Sequence, residues 1–140
     1  MSKVRKIKAP NFGNEVHPHI ITEYEKELIK FLCPIIQNKQ LIKFYYSDIS
    51  ENFDDWRIVE PHLIGVRNTK EEKIWLSAWF LPTKVQMLQG HRQDWKNYIL
   101  DDVKKIEVLE QRYNHTRQKY NPKDSRMKSI YCATVKKSNP

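Results

Sequence analysis

TEYEKELIKFLCPIIQNKQLIKFYY, residues 22–46, changes its hydrophobic period partway along. In its first part Tyr24, Leu28, Phe31, Leu32, Ile35 and Ile36 recur at helical spacing, which predicts a helix over 22–37 with these residues on its buried face. Thr22-x-x-Glu25 is a capping box, and Glu23, Glu25 and Glu27 load the positive end of the helix dipole. Pro34 lies inside the pattern, so the helix either kinks there or ends near Leu32. From Leu41 the period is two. Ile42, Phe44 and Tyr46 alternate with Leu41, Lys43 and Tyr45, and bulk on both sides predicts a strand in a closed or covered sheet.

Downstream the signals stay strand-like and short. A polar turn at 47–52 leads to a strand over about 56–67, in which Pro61 requires a bulge or an edge position. Residues 73–81 carry Ile74, Trp75, Leu76, Trp79 and Phe80 and are stopped by Pro82. Residues 83–94 fit either a strand extension or a helical turn before Gly90. Short strands follow over 97–100 and 103–109, with Asp101-Asp102 as a turn between them. Residues 112–125 read as a polar loop, and 127–135 as a last strand. One helix followed by several short strands predicts a mostly β domain closed as a small barrel. The organisation is therefore a basic arm over 1–21, then one domain over 22–137. Within it lie the helix (22–37), the barrel (40–110), a loop (112–125) and a closing strand (126–135).

Length and composition agree with a single core. The chain has 140 residues, 39% of them apolar, enough for one domain. No run approaches the ~18 apolar residues that span a bilayer, and no apolar segment follows the basic N-terminus as a secretory signal requires. Cys33 and Cys132 lack CxxC spacing, so they read as buried free thiols in a reducing cytoplasm. The net charge is +8, carried by the ends: residues 1–21 contribute +3 and 110–140 contribute +6, while the middle is −1. Such a balance draws nucleic acid or anionic surfaces. Lys3, Arg5, Lys6 and Lys8 fit a solvated tail first and a nucleic-acid arm second.

Enzyme signatures are scarce. The chain has no Gly-rich phosphate loop, GxSxG, HExxH or paired CxxC. His17-Pro18-His19 is poorly placed to share a metal, and Asp54-Asp55 and Asp101-Asp102 sit where turns favour Asp. No enzyme activity, metal or cofactor is expected. Aromatic residues mixed with cations are better represented, as in Lys43, Tyr45 and Tyr46, in Trp56 and Arg57, and in His91, Arg92, Trp95, Lys96 and Tyr98. Bases stack on rings while cations hold phosphates, so such clusters suit single strands or nucleotides. For any one ring, a place in the core is the commoner outcome.

Four segments recur in a telling order: Leu41-Ile42-Lys43-Phe44-Tyr45-Tyr46, Arg57-Ile58-Val59-Glu60-Pro61-His62-Leu63, Ile74-Trp75-Leu76-Ser77-Ala78 and Tyr98-Ile99-Leu100-Asp101-Asp102-Val103. This order resembles the WYL domain family, and the tail from Asn121 to Val135 is similar to the closing strand of its short stand-alone members. Arg57, Leu76, Ala78, Leu100 and Asp101 match the family pattern. Ile74 stands for its tryptophan, Trp75 for its tyrosine, and Ile99 and Asp102 for two arginines associated with its ligand site. The resemblance implies an Sm-like, SH3-type β-barrel. It also implies a bacterial, cytoplasmic ligand-sensing role in transcription regulation or defence, with a nucleic-acid or nucleotide ligand and no membrane. A single helix precedes the barrel, so no helix-turn-helix is expected in this chain.

These readings converge on one candidate site: Tyr46, Arg57, Trp75, Arg92 and Lys96. Arg57 supplies a bidentate grip on phosphate, Trp75 a stacking face, and Arg92 with Lys96 the charge that Ile99 and Asp102 lack. For Arg57 a structural ion pair with Glu60 or a nearby Asp competes with the ligand role. At the level of the whole chain, the competing function is a protein–protein adaptor or homodimerisation module.

Overall fold

A computed structural model describes residues 21–69 and 72–139. The arm expected over 1–21 lies, but for Ile21, outside the described residues. The helix α1 is Glu23–Gln37, capped by Thr22, whose hydroxyl accepts from the Glu25 N–H while the Glu25 carboxylate accepts from the Thr22 N–H. Pro34 is accommodated in its last turns, and the helix runs through to Gln37. Its buried stripe is narrower than the spacing predicts. Leu28, Leu32, Ile35 and Ile36 are buried, whereas Tyr24 and Phe31 stay exposed.

Six antiparallel strands follow: β1 (Gln40–Asp48), β2 (Phe53–Arg67), β3 (Ile74–Phe80), β4 (Asp94–Ile99), β5 (Lys104–Arg112) and β6 (Met127–Ala133). A short helix α2 (Lys84–Leu88) separates β3 from β4, which settles residues 83–94 in favour of a helical turn. A single 3₁₀ turn, Leu100–Asp102, joins β4 to β5. Asp54-Asp55 belongs to β2 and not to a turn, because β2 begins at Phe53.

The sheet order is β4-β3-β2-β1-β5, with β6 also on β2. The long β2 organises it. Residues 53–59 pair with β1, and residues 63–67 pair with β6. β3 pairs along 59–66, with the register shifting between Pro61 and Leu63. Proline cannot donate to a ladder, so the bulge falls where the sequence predicts it. At Gly65 the approach of β6 is so close that a Cβ would lie 2.6 Å from the Ser129 carbonyl oxygen. β4 and β5 end the order and do not pair with each other, so hydrogen bonding does not close the predicted barrel.

Alternation sorts the side chains. Ile42, Phe44 and Tyr46 on β1, Val59 on β2, and Ile74, Leu76, Ala78 and Phe80 on β3 face one core, which α1 covers with Leu32 and Ile36. The cysteines correct the thiol reading. Cys33 on α1 and Cys132 on β6 form a disulfide with Cα atoms 5.8 Å apart, inside the usual range. Cys33 is only partly buried. The disulfide removes the support that free thiols gave to a reducing compartment. Among the described residues no helix is long and apolar enough to cross a membrane.

Candidate functional site

At the turn end of the β1–β2 pair, the core face opens into a cleft of about 200 Å³. Tyr46, Arg57, Phe80 and Tyr98 project into it from four adjacent strands, and Lys96 from the end strand β4. The rim comes from two loops. Asp48 and Glu51 stand at the β1–β2 turn. His91 and Arg92 follow Gly90, whose φ of 101° turns the chain back after α2. α2 is pinned to the base of β2 by buried Gln86, whose amide donates to the Asp55 carboxylate (3.1 Å) and to the Trp56 carbonyl (2.7 Å).

Arg57 dominates the floor. Its side chain is only 2% exposed. One terminal nitrogen donates to the carbonyls of Phe53 (2.7 Å) and Tyr46 (3.4 Å). The buried Nε and the other terminal nitrogen have no hydrogen-bond partner among the described residues. The guanidinium lies 3.5 Å from the Phe53 ring centre, and the His91 ring stacks on the same phenyl at 3.7 Å. Two groups that close cannot share one face, so Phe53 is held between cation and imidazole. Among the described residues no carboxylate reaches Arg57 within hydrogen-bond distance. Glu60, its expected competitor, is engaged by Arg117 through two bonds of 2.7 and 2.8 Å. Burial lowers the Arg57 pKa, and Tyr98 and Asp48 act in the opposite direction. Arginine nevertheless stays charged.

The rest of the cleft is mixed. Lys96 lies 3.8 Å from Glu51 in a half-exposed pair. Arg92 donates to the carbonyls of His91 and Met87. Asp48 accepts from Ser50 Oγ (2.7 Å), which holds its pKa below the usual range. Burial raises both Tyr46 and Tyr98, and the Tyr46 hydroxyl accepts the Ile99 N–H at 2.9 Å. Two further cations, Arg92 and Lys96, thus meet two carboxylates, Asp48 and Glu51, around the buried, under-satisfied Arg57 guanidinium. Among the described residues no three His, Cys, Asp or Glu side chains gather as a metal site.

Four of the five sequence-predicted residues, Tyr46, Arg57, Arg92 and Lys96, line this one cleft. Trp75 does not. Leu76 beside it faces the core, so the two-residue period of β3 turns Trp75 to the opposite side of the sheet. There it is half-buried under Arg67, 5.6 Å from its ring centre, with its indole N–H buried and unpartnered among the described residues. Sequence reading missed Phe53, because it follows a polar turn and belongs to no periodic run. His91 was visible only as a member of a basic-aromatic cluster, and Tyr98 in that cluster and in the segment Tyr98-Ile99-Leu100-Asp101-Asp102-Val103.

A second buried polar centre lies five residues along β2 from Arg57, at the bulge. His62 is fully buried. Its Nδ1–H donates to the Glu60 carbonyl (2.8 Å), and its Nε2 accepts the Arg117 N–H (3.3 Å). The ring stacks on Tyr113 and meets Tyr120 and Trp95 edge-on. Burial drives its pKa down to about 4.

No family model and no curated protein matches this chain. A solved structure of proteasome accessory factor B/C (PafBC) of Arthrobacter aurescens is similar to it. The TM-score is 0.48 at 18% identity, over 71% of this chain and 13% of that one.

Proposed function

We propose that this chain is a regulatory binding module, not an enzyme, whose cleft takes the phosphate of a nucleotide or of single-stranded nucleic acid. The observation that carries the reading is Arg57. A buried cation with two unpartnered nitrogens costs stability unless something offsets it, and an anion entering the cleft offers that compensation. Arg92, Lys96 and His91 add donors at the rim. A volume of about 200 Å³ is below the ~300–1,000 Å³ of pockets that enclose drug-sized ligands. It suits one phosphate group with the remainder of the ligand outside. The motif order from Leu41 to Val103 supports a WYL-like module of Sm or SH3 type, as does the sharing of β2 among β1, β3 and β6.

A second reading, a protein–protein adaptor, is favoured by one observation. Val85, Met87 and Leu88 on α2 are exposed beside Arg92. Titrating uridine monophosphate and a labelled oligothymidylate into wild type and Arg57→Ala at matched salt separates the two. The Arg57→Ala protein should stay folded and bind more weakly by about 1.5–3 kcal/mol, as for a hydrogen bond to a charged group. Coincident curves with both proteins folded would reject the cleft. A concentration-dependent increase in mass on sedimentation would then favour the adaptor.

A further inference from the structure

Few of its own side chains hold β6 to the sheet. Of its seven residues only Cys132 is buried, and Lys128, Ser129, Ile130 and Tyr131 are exposed in succession. The strand pairs with β2 alone, in a ladder whose register shifts twice, between Ile64 and Gly65 and between Val66 and Arg67. Main-chain hydrogen bonds are exchanged for bonds to water when a strand lifts, so a ladder with one buried side chain behind it is a weak attachment.

The anchors of β6 lie at its ends. Where it begins, the Asn68 N–H donates to the Arg126 carbonyl (2.8 Å), and Lys128 pairs with Glu72. Just past its end, Thr134 is fully buried. The Thr134 N–H donates to the His62 carbonyl (2.9 Å), its carbonyl accepts from the Tyr120 hydroxyl (2.7 Å), and its hydroxyl accepts from Lys39 (2.9 Å). Two residues before Thr134, Cys132 is bonded to Cys33. The helix does not depend on that bond, because Leu28, Leu32, Ile35 and Ile36 bury α1 in the core. The disulfide fixes the strand to the helix and not the reverse. A second cleft, of about 170 Å³, depends on the strand's position. It is lined by Trp95 and Tyr120 and, from the segment leading into β6, by Asp124 and Arg126. Asp124 pairs with Arg126 at 2.7 Å and its carbonyl accepts the Met127 N–H (3.0 Å), so this part of the lining moves with the first residue of β6.

We infer that the Cys33–Cys132 disulfide is a redox clasp. Its reduction releases β6 from Met127 to Cys132, hinged at Thr134, and draws Asp124 and Arg126 away from the second cleft, while the core and the Arg57 cleft persist. Cys33, only partly buried, is the half of the pair open to a reductant. A thiolate of a dithiol attacks the Cys33 sulfur, forms a mixed disulfide with it and expels the Cys132 thiolate. The second thiolate of the reductant then attacks its own sulfur in the mixed disulfide and expels the Cys33 thiolate. Both cysteine thiolates take up protons, so two electrons and two protons pass to the protein and the reductant leaves as a disulfide. The chain has two cysteines in all, so the exchange has one target. The clasp does not depend on what the Arg57 cleft binds.

Hydrogen exchange on the full chain, read by mass spectrometry with and without dithiothreitol, tests it. Reduction also lifts the restraint on the unfolded chain, which lowers the protection of every globally exchanging amide by one common factor. Release of β6 is the excess over that factor. Amides of 127–132 should lose protection by at least about 10-fold more than those of β1, and reoxidation should restore them. Cys33→Ser combined with Cys132→Ser should show the same excess without reductant. If that double variant fails to fold, the reduced wild type still decides. A loss shared equally by β1 and β6, including complete unfolding, overturns the clasp and makes the bond a staple of the whole fold. A disulfide that dithiothreitol opens only in urea overturns it as well.

Discussion

Arg57 and the Glu60–His62 bulge lie on one strand and bury polar groups in opposite ways. At the bulge every group is answered. Glu60 receives two bonds from Arg117, both His62 nitrogens are engaged, and the Tyr113 and Tyr120 hydroxyls donate to the Pro61 and Thr134 carbonyls. Nothing is left over for a ligand. Three residues earlier, Arg57 keeps two buried nitrogens unanswered beneath an open cleft. Burial alone does not separate a structural polar centre from a binding one. The count of unspent hydrogen bonds does.

The largest expected effect lies at the satisfied centre. Burial holds His62 neutral with a pKa of about 4, so between pH 6.5 and 4 the unfolded chain binds a proton that the fold refuses. The stability from this group is complete above pH 6.5 and falls as pH drops toward 4, by about 3 kcal/mol. Urea unfolding of wild type and His62→Gln across that window should show the steeper slope only in wild type. Equal slopes would mean the bulge does not shield the imidazole. Next, Glu60→Ala should cost about 2–3 kcal/mol in the same measurement by stranding Arg117, which is still one-third exposed and so partly rescued by water. Nucleotide binding should not change. Smallest is the stability effect at the unsatisfied centre. Arg57→Met should shift stability by less than about 1 kcal/mol, or raise it, because a buried cation is exchanged for an apolar chain. A loss as large as that of Glu60→Ala would erase the distinction between the two centres.

Much of this arrangement was legible. The capping box and the 3.6-residue period placed α1 to within a residue, since both depend on local chemistry. Strand positions followed from alternation, and Pro61 announced the bulge. What sequence could not supply was which face each strand presents. The WYL resemblance grouped Trp75 with Arg57, but β3 pairs with β2 in a register that turns Leu76 to the core and Trp75 away. The loop over 112–125 looked polar and free, yet Tyr113 and Tyr120 bury their rings around His62, and Arg117 reaches Glu60. Two tyrosines in a polar stretch were the available signal. The disulfide had no signal at all. Its cysteines are 99 positions apart, and only the packing of α1 against β6 brings them together.

That bond has a topological consequence. It makes a covalent ring of the chain from Cys33 to Cys132, and every residue lining either cleft, from Tyr46 to Arg126, lies inside the ring. A protease that nicks an exposed loop tip, such as residues 49–52, separates no fragment. The two pieces stay tethered through α1 and β6 and keep a single mass until a reductant opens the ring. Cleavage and disassembly of the clefts are thus distinct events, and redox chemistry stands between them.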